Sequence, residues 1–471
     1  MEFLKPDLCV IGGGSGGLSV AAGAVQMGSS VVLIEGHKMG GDCLNYGCVP
    51  SKALLAAGKA AHAMEAGAPF GITPVAPTVD YARAKDHVRE VIAGIEPHDS
   101  VERFESLGCT VIQDYARFSD AKTVEAGGKQ IQARRFIIAT GSSPWTPPIP
   151  GLDEVGFHTN ETIFELREKP KHLLVIGGGP IGLEMAQAHR RLGCEVTVLE
   201  AFKALGKDDP ELTAIALEAL RNEGIDIREG AKVASASRDG DQVTLEIEGQ
   251  APVTGDVILA AVGRRANVDK LNLEAAGIKT NRASIVVDKG LRTSNRKVYA
   301  IGDVAGGLQF THVASYQAGL VIRSTLFRMP VTNRTDHIPW ATYTDPEMAH
   351  VGMTEADAQK AHGDKLEVLR FDYAENDRAR AELKTKGLIK VMVVKGRPIG
   401  ASIVGAAAGE QISLWALAIS KGLKIADMAG FVAPYPTMSE LSKRAAGSYY
   451  TPRLFQNDRL KWIVSLLARL G

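Results

Sequence analysis

The chain has 471 residues, of which 45% are hydrophobic, and its 54 Lys and Arg residues balance 54 Asp and Glu residues. This length suits about three domains, and the balanced charge argues against nucleic acid or a strongly anionic surface as the main partner. The N-terminus has no basic leader segment, and the sequence has no apolar run long enough to span a membrane. We therefore expect a cytoplasmic protein, and the five cysteines are too few for a disulfide scaffold.

The first predicted unit is a strand, a glycine-rich turn, a helix and a second strand. Residues 8–11 are apolar, the turn contains Gly12, Gly14 and Gly17, and the second strand ends at Glu35. Glycines at this spacing let the backbone approach a pyrophosphate at the helix N-terminus, and the terminal acid can hold ribose hydroxyls. Because strand, helix and acid follow in the right order, the pattern predicts a dinucleotide site.

Two cysteines follow this unit, Cys43 and Cys48, in the segment Gly-Gly-Asp-Cys-Leu-Asn-Tyr-Gly-Cys-Val-Pro-Ser-Lys that ends at Lys52. A helix is predicted over 52–63, with the Pro-Ser pair at its start. A thiolate near a helix N-terminus has a lowered pKa and stays reactive. A disulfide beside a redox cofactor can be reduced and then pass electrons on. We expect the remaining cysteines to be buried core residues: Cys9, Cys109 and Cys194.

The glycine-and-acid pattern recurs in the middle of the chain. An apolar strand over 173–176 precedes a second glycine turn, and the following strand ends at Glu200. The spacing from the first glycine to the acid is 23 residues in both copies, so two dinucleotides are expected. A carboxylate at Glu200 hydrogen-bonds a free 2′-hydroxyl and repels a 2′-phosphate, which favours NADH over NADPH. The second turn and helix start contain Gly177, Gly179, Ile181 and Gly182.

The cysteine segment closely resembles the redox-disulfide motif of the class I pyridine nucleotide-disulfide oxidoreductases, which include dihydrolipoamide dehydrogenase, glutathione reductase and mercuric reductase. The resemblance covers essentially the whole chain. It implies an α/β fold with two Rossmann-like dinucleotide-binding domains, for FAD and NAD(P), and a C-terminal α+β dimerisation domain. The implied boundaries are 1–150 with 281–335 for the FAD domain, 151–280 for the nicotinamide domain and 336–471 for the dimerisation domain.

The same resemblance assigns FAD to the first dinucleotide site and the nicotinamide to the second. Residues 136–142 resemble the strand and turn that return to FAD, and residues 298–303 resemble the second FAD motif. The implied FAD contacts are Gly12, Gly14, Gly17, Glu35, Lys52, Ala116, Thr140, Gly141, Ser142, Asp303, Gln309, Phe310, Thr311 and His312. The implied nicotinamide contacts are Gly177, Gly179, Ile181, Gly182, Glu200, Val233 and Gly263. No metal-ligating group is predicted.

An electron path follows from the resemblance. NADH would reduce the flavin, and the flavin would reduce the Cys43–Cys48 disulfide. Cys48 would be the flavin-proximal thiol, and Cys43 would be the exposed thiol that attacks the acceptor. Lys52 would lie near flavin N5 and pair with Glu184, where a cation stabilises the reduced anionic flavin. The active site would be shared between the subunits of a homodimer.

One position departs from the family pattern. Most members have a His-Pro-Thr-x-x-Glu motif whose histidine, from the partner subunit, moves the proton in thiol-disulfide exchange. Here Tyr435 replaces that histidine and Glu440 is kept. A phenol with a pKa of about 10 is a poor proton shuttle at neutral pH. Tyr435 is interpreted as a metal or substrate contact, as a structural plug, or as a weak acid in a modified proton path.

The acceptor stays open at this point. Thiol or disulfide chemistry of the dihydrolipoamide dehydrogenase type, with a lipoyl protein as one candidate partner, is the first hypothesis. Mercuric reductases also place a tyrosine here, so reduction of Hg(II) or Cu(II) is the second, although this chain has no cysteine after Cys194 to match their C-terminal pair. A non-catalytic redox sensor or electron-transfer flavoprotein is the third.

The C-terminal tail shows a helical apolar stripe with basic residues beside it over 459–471. It is too short to span a bilayer. Packing across the dimer is favoured, and contact with a membrane surface is the alternative.

Overall fold

A computed structural model describes residues 2–282 and 284–469. The helices are α1 Ser15–Gln26, α2 Gly41–Asn45, α3 Cys48–Glu65, α4 Tyr81–Ile95, α5 Val101–Ser106, α6 Leu152–Val155, α7 Pro180–Arg191, α8 Pro210–Asn222, α9 Thr311–Leu326, α10 Glu355–His362, α11 Asp377–Ala381, α12 Ala408–Lys421, α13 Ile425–Gly430, α14 Glu440–Ser448, α15 Thr451–Phe455 and α16 Asp458–Leu467.

The strands are β1 Glu2–Leu4, β2 Leu8–Ile11, β3 Val31–Glu35, β4 Thr110–Gln113, β5 Arg117–Asp120, β6 Thr123–Ala126, β7 Lys129–Ile131, β8 Arg135–Ile138, β9 Ser142–Pro144, β10 His172–Ile176, β11 Glu195–Glu200, β12 Asp226–Glu229, β13 Val233–Asp239, β14 Gln242–Ile247, β15 Gln250–Gly255, β16 Val257–Ala260, β17 Arg264–Ala266, β18 Val298–Ala300, β19 Pro339–Thr342, β20 Glu347–Gly352, β21 Leu366–Asp372, β22 Leu388–Val394 and β23 Arg397–Gly405.

The chain forms two compact units. The first comprises Met1–Gly178, Met185–Ala201 and Gly230–Asn333. The second comprises Gly179–Glu184, Phe202–Glu229 and Arg334–Gly471. The finer three-domain boundaries given above stay a prediction.

A five-stranded parallel sheet organises the first unit, in the order β18-β8-β2-β3-β4. Its strands β2, β3 and β8 are largely apolar and buried because both faces are covered, as is usual for parallel sheets. Leu8 and Val10 of β2 belong to a core with α1 and α9. Cys9 and Ile11, which point to the opposite face, belong to a core with the β5–β7 strands.

A second parallel arrangement in the same unit places β10 between β11 and β16. The antiparallel strands β13, β14 and β15 pack against it, and their inward-facing residues share one core with β10 and β16. Both glycine turns predicted from the sequence therefore follow a central strand of a parallel sheet. This is the position at which such sheets bind ligands.

The second unit contains a five-stranded antiparallel sheet in the order β19-β20-β23-β22-β21. Helices α12 and α14 cover one face, where Trp415 is fully buried and donates from Nε1 to Ser442 Oγ at 3.0 Å. The α/β class and the α+β character of the C-terminal part are confirmed. Within the described ranges, every helix is too short or too polar to cross a bilayer.

Two details of the sequence prediction can be compared directly with the structure. Cys9, Cys109 and Cys194 are buried, as predicted. The helix predicted over 52–63 begins earlier, at Cys48, and ends at Glu65. Proline is tolerated in this first turn because the backbone N–H groups there have no partner within the helix.

Candidate active site

The two glycine turns have the same geometry. Gly12 and Gly177 have φ angles of +113° and +112°. A Cβ atom would lie 2.4 Å from the carbonyl oxygen of Ala139 at the first turn and 2.5 Å from that of Ala261 at the second. Only glycine fits either position, because a side chain would be strained and would also collide with backbone.

The two predicted ribose-binding acids are held in the same way. The Gly13 N–H donates to Glu35 Oε2 at 2.5 Å, and the Gly178 N–H donates to Glu200 Oε2 at 2.7 Å. Glu35 Oε1 also accepts from the His37 N–H at 2.7 Å. Each carboxylate is therefore fixed at the end of its strand, beside the start of a glycine turn.

The first turn fits the pyrophosphate of FAD. A Cβ on Gly17 would lie 1.8 Å from the Gly12 carbonyl oxygen, so α1 packs tightly onto the turn. On the other side there is room, since a Cβ on Gly14 would meet only Gly41 Cα, at 3.8 Å. Backbone N–H groups at the start of α1 and the carboxylate of Glu35 are thus available to a dinucleotide.

Ser142 and Asp303, both predicted FAD contacts, are in direct contact. Ser142 Oγ donates to Asp303 Oδ2 at 2.6 Å. Arg264 donates from Nε to Ser142 Oγ at 2.7 Å, and its Nη2 lies 3.0 Å from Asp42 Oδ1. Burial raises the pKa of the Asp303 carboxyl, and the contacts with Ser142 and Arg264 oppose that rise. This network joins the second FAD motif to the cysteine segment.

The redox cysteines lie in two consecutive helices, with Cys43 in the middle of α2 and Cys48 at the start of α3. Cys43 is in α2 and is half-buried, whereas Cys48 is the exposed first residue of α3. Cys48 Sγ is 3.3 Å from Thr311 Oγ1, so the cysteine segment meets the predicted flavin-edge segment.

The two thiols differ in acidity. A hydrogen bond from Cys43 is the main factor that lowers the pKa of Cys48 to about 6, and Thr311 and the charge of Lys52 lower it further. The same hydrogen bond, together with burial, raises the pKa of Cys43 well above its usual range. The reduced pair is therefore a Cys43 thiol beside a Cys48 thiolate. The exposure of the two thiols differs from the expectation, because the structure exposes Cys48 and half-buries Cys43. Their assignment as flavin-proximal and acceptor-attacking thiols stays a prediction.

The remaining predicted FAD residues lie in the same unit. Thr140 Oγ1 donates to the Asn267 carbonyl oxygen at 2.7 Å, and the rings of Phe310 and His312 stack with centroids 5.4 Å apart. Gln309 is exposed. Gly141 has a φ of +66° with open space at its Cβ position, and Ala116 is buried in the sheet core.

The predicted nicotinamide residues are divided between the two units. Val233 begins β13, and Gly263 has a φ of +149° with no atom within 4 Å of its Cβ position. The residues at the start of α7 belong to the second unit: Gly179, Ile181 and Gly182. Glu184 is buried and accepts a hydrogen bond from the Tyr343 N–H at 2.9 Å. Its pairing with Lys52 stays a prediction.

Tyr435 also has a defined partner. Its side chain is 71% exposed, and its hydroxyl donates to Asp377 Oδ2 at 3.0 Å. This hydrogen bond and the negative charge of Asp377 raise the pKa of the phenol. Glu440 is half-buried as the first residue of α14. The approach of Tyr435 and Glu440 to a partner subunit's cysteines stays a prediction.

Sequence reasoning missed several residues of this site. Asp42, Arg264 and Asn160 form the contacts around the cysteine segment, and Asp377 binds Tyr435. The only local signal was that Asp42 lies between the glycine pair and Cys43. The others come from distant parts of the chain.

Residues 6–318 match the family described as pyridine nucleotide-disulphide oxidoreductase, and residues 338–446 match its dimerisation domain. The chain belongs to the pyridine nucleotide-disulphide oxidoreductase family. It is therefore an oxidoreductase of the flavoprotein disulfide reductase class, which acts on sulfur groups with FAD and NAD(P)H.

Curated relatives of two kinds are similar over nearly the whole chain. A mercuric reductase of Bacillus cereus is 36% identical over 93% of this chain and 70% of its own length. A mercuric reductase of Streptomyces lividans is 34% identical over 94% of this chain and 96% of its own. A dihydrolipoyl dehydrogenase of Geobacillus stearothermophilus is 35% identical over 94% and 96%. These similarities do not by themselves identify the electron acceptor.

Among solved structures, the Cu(II) complex of the HOCl-induced flavoprotein disulfide reductase RclA from Escherichia coli is similar, with a TM-score of 0.85 and 29% identity. The alignment covers 94% of this chain and 99% of that one.

Proposed function

We propose that this enzyme passes electrons from NADH, by way of FAD, to the Cys43–Cys48 pair and reduces a soft metal ion held by the two sulfurs. With Hg(II), one NADH and one Hg(II) give NAD⁺, a proton and Hg(0). With Cu(II), one NADH and two Cu(II) give NAD⁺, a proton and two Cu(I). FAD, when bound, supplies the two-electron relay between nicotinamide and cysteines.

The observation that carries this proposal is the hydrogen bond between Tyr435 and Asp377. Thiol-disulfide exchange needs a group that moves a proton to and from sulfur, and such a group works best with a pKa near the operating pH. Tyr435 occupies the position of the family histidine, and its bond to Asp377 raises its pKa further. Metal reduction has no such need, because thiolates bind soft ions directly.

The acidity of the cysteine pair supports the same acceptor. Thiolate is the form that binds soft metals, and Cys48 is a thiolate above about pH 6. Cys43 is half-buried beside it and can lose its proton when a metal binds. The mercuric reductases among the relatives and the Cu(II) complex of RclA agree with this choice.

A disulfide or dihydrolipoamide acceptor is the second candidate. It is favoured by the dihydrolipoyl dehydrogenase relative, which is matched over 96% of its length, and by the retained Glu440 at the start of α14. For this acceptor, water or another group would have to replace the family histidine as the proton carrier.

Anaerobic NADH oxidation by the purified flavoprotein decides between these acceptors. Hg(II)–thiol complexes, Cu(II) and lipoamide are compared side by side in the wild type, Cys43→Ser and Cys48→Ser proteins. We expect metal-dependent turnover that both substitutions abolish, with little turnover of lipoamide. Fast lipoamide turnover with no metal response would establish the second candidate. Rapid flavin reduction with slow turnover of every acceptor would indicate a redox sensor and overturn both.

A further inference from the structure

Asp42 lies directly before Cys43, at a position for which the family motif specifies no residue type. Its Oδ1 lies 3.0 Å from Arg264 Nη2 and accepts from Asn160 Nδ2 at 3.1 Å. Asn160 Nδ2 also lies 3.1 Å from the carbonyl oxygen of Tyr46, inside the cysteine segment. Two residues from distant parts of the chain thus hold one carboxylate.

The residues that hold Asp42 are themselves well fixed. Asn160 is only 7% exposed, and the Arg264 side chain is 13% exposed. Arg264 also donates to the Ser142 carbonyl oxygen at 2.7 Å, in addition to its bond to the Ser142 hydroxyl. The carboxylate is therefore held by two largely buried side chains of the first unit.

The second oxygen of Asp42 faces the loop between the cysteines. A Cβ atom placed on Gly47 would lie 2.8 Å from Asp42 Oδ2 and 3.4 Å from Cys43 Cα. Gly47 directly precedes Cys48. The Asp42 carboxylate, on a side chain that is 35% exposed, thus lies beside the short segment that joins Cys43 to Cys48.

We propose that Asp42, held by Arg264 and Asn160, is a positioning residue that lowers the reduction potential of the Cys43–Cys48 disulfide. Reduction breaks the S–S bond with two electrons and one proton, and it leaves a Cys43 thiol and a Cys48 thiolate. The new negative charge is repelled by Asp42 and attracted by Lys52, one turn along α3. Asp42 therefore makes the reduced pair a stronger reductant, and Arg264 and Asn160 limit the effect.

This inference deepens the proposed function, because the potential of the pair decides which metal ions or disulfides it can reduce. It rests on that proposal only in taking the pair as the redox centre. Its test contains no acceptor, so the two can fail separately. If the potential shifts in Asp42→Asn but no metal ion is turned over, only the proposed acceptor is contradicted. If metal ions are turned over but the potential does not shift, only the role of Asp42 is contradicted.

The test equilibrates the purified flavoprotein with glutathione buffers without oxygen and measures the oxidised fraction of the pair by alkylation and mass spectrometry. In Asp42→Asn we expect the equilibrium constant for reduction to rise by about tenfold, which is about 30 mV for a two-electron couple. Asp42→Glu keeps the charge and should lie closer to the wild type than to Asp42→Asn. Asp269→Asn is the matched control, because Asp269 pairs with exposed Arg265 at 3.0 Å outside the cysteine segment.

A second variant distinguishes charge from a merely structural effect. Asn160→Ala removes a donor from Asp42 without removing the carboxylate, so the constant should fall, opposite to Asp42→Asn. Shifts in the same direction, or no shift in Asp42→Asn, would overturn the inference. If Asp42→Asn does not fold, Asn160→Ala decides alone: a fall supports the role of Asp42, and an unchanged or increased constant refutes it.

Discussion

The hydroxyl of Tyr435 donates a hydrogen bond to Asp377 Oδ2 at 3.0 Å, at the position where the family resemblance implies a proton-carrying histidine. We predict that Tyr435→His increases lipoamide turnover on the order of a hundredfold, because an imidazole supplies general acid-base catalysis near neutral pH. Turnover of Hg(II)–thiol complexes should change by no more than a few fold. Steady-state NADH oxidation measures both.

Tyr450→His is the control for this substitution, since Tyr450 is a half-buried tyrosine that packs against Tyr449. It should leave both acceptors unchanged. Rapid lipoamide turnover in the wild type would show that Tyr435 is no barrier to thiol-disulfide exchange.

Cys48 should be reactive well below the pH at which cysteine usually ionises. Its pKa is lowered to about 6, mainly by the hydrogen bond from Cys43, so the thiolate is present above pH 6 and is lost as the pH falls through that value. The rate of alkylation of the reduced protein by iodoacetamide, followed at the Cys48 peptide, should reach half its maximum near pH 6. In Cys43→Ala the midpoint should move upward. A midpoint that stays in place would show that the hydrogen bond is not the cause.

Glu200 should set the choice of nicotinamide. Its carboxylate is held by the Gly178 N–H at 2.7 Å, at the place where a free 2′-hydroxyl is recognised. We expect kcat/KM to be higher for NADH than for NADPH, and Glu200→Ser should reduce this preference by about tenfold because the repulsion of the 2′-phosphate is removed. A wild type that prefers NADPH would contradict the prediction.

Lys390 should be important for the stability of the second unit. Its side chain is 3% exposed, its Nζ lies 2.7 Å from Asp209 Oδ2 and 3.0 Å from Glu211 Oε2, and it also contacts Glu355. Lys390→Met leaves the Asp209 carboxylate buried without its cation, and this should lower the free energy of unfolding by about 3 kcal/mol. Urea denaturation measures the loss.

Lys386→Met provides the comparison for that measurement. Lys386 lies shortly before Lys390 in the chain, but its side chain is 70% exposed. Its Nζ lies 3.6 Å from Glu218 Oε1. An exposed pair of this kind contributes less than about 1 kcal/mol. Equal losses in the two variants would show that burial does not decide the contribution of Lys390.

The C-terminal helix α16 should pack across the subunit interface. None of its residues is buried, and Trp462, Val464 and Leu467 are among its most exposed apolar side chains. It begins 12 residues after the region that matches the dimerisation domain, which ends at residue 446. Deletion of residues 459–471 should therefore weaken the dimer, which light scattering after gel filtration measures. An intact dimer that no longer binds anionic liposomes would instead favour the membrane-surface alternative.

The sequence predicted the parts of the site that depend on neighbouring residues. Each glycine turn, its strand and its acid lie within one short segment, so Gly12 with Glu35 and Gly177 with Glu200 could be paired from spacing alone. The buried state of Cys9, Cys109 and Cys194 followed from their apolar surroundings. The start of α3 was placed too late because the Pro50-Ser51 pair was interpreted as the start signal of a helix over 52–63, whereas the helix begins at Cys48.

Contacts between distant segments could not be predicted in this way. Arg264 reaches Asp42 only because β17 pairs with β9, which places Arg264 opposite Pro144 and beside Ser142. The bond between Tyr435 and Asp377 likewise joins the segment before α14 to the start of α11 in the second unit. Neither contact leaves a periodic or spaced pattern in the sequence.

The matching geometry of the two glycine turns means that the protein uses one design of nucleotide-binding turn twice. What differs between the copies is the connection after the second strand. In the first copy it runs from the end of β3 at Glu35 to the start of β4 at Thr110 and contains both redox cysteines, and in the second it has none. The two redox cysteines thus belong to the connection of one copy alone, while both copies keep the same glycine turn and a strand-end acid held by it.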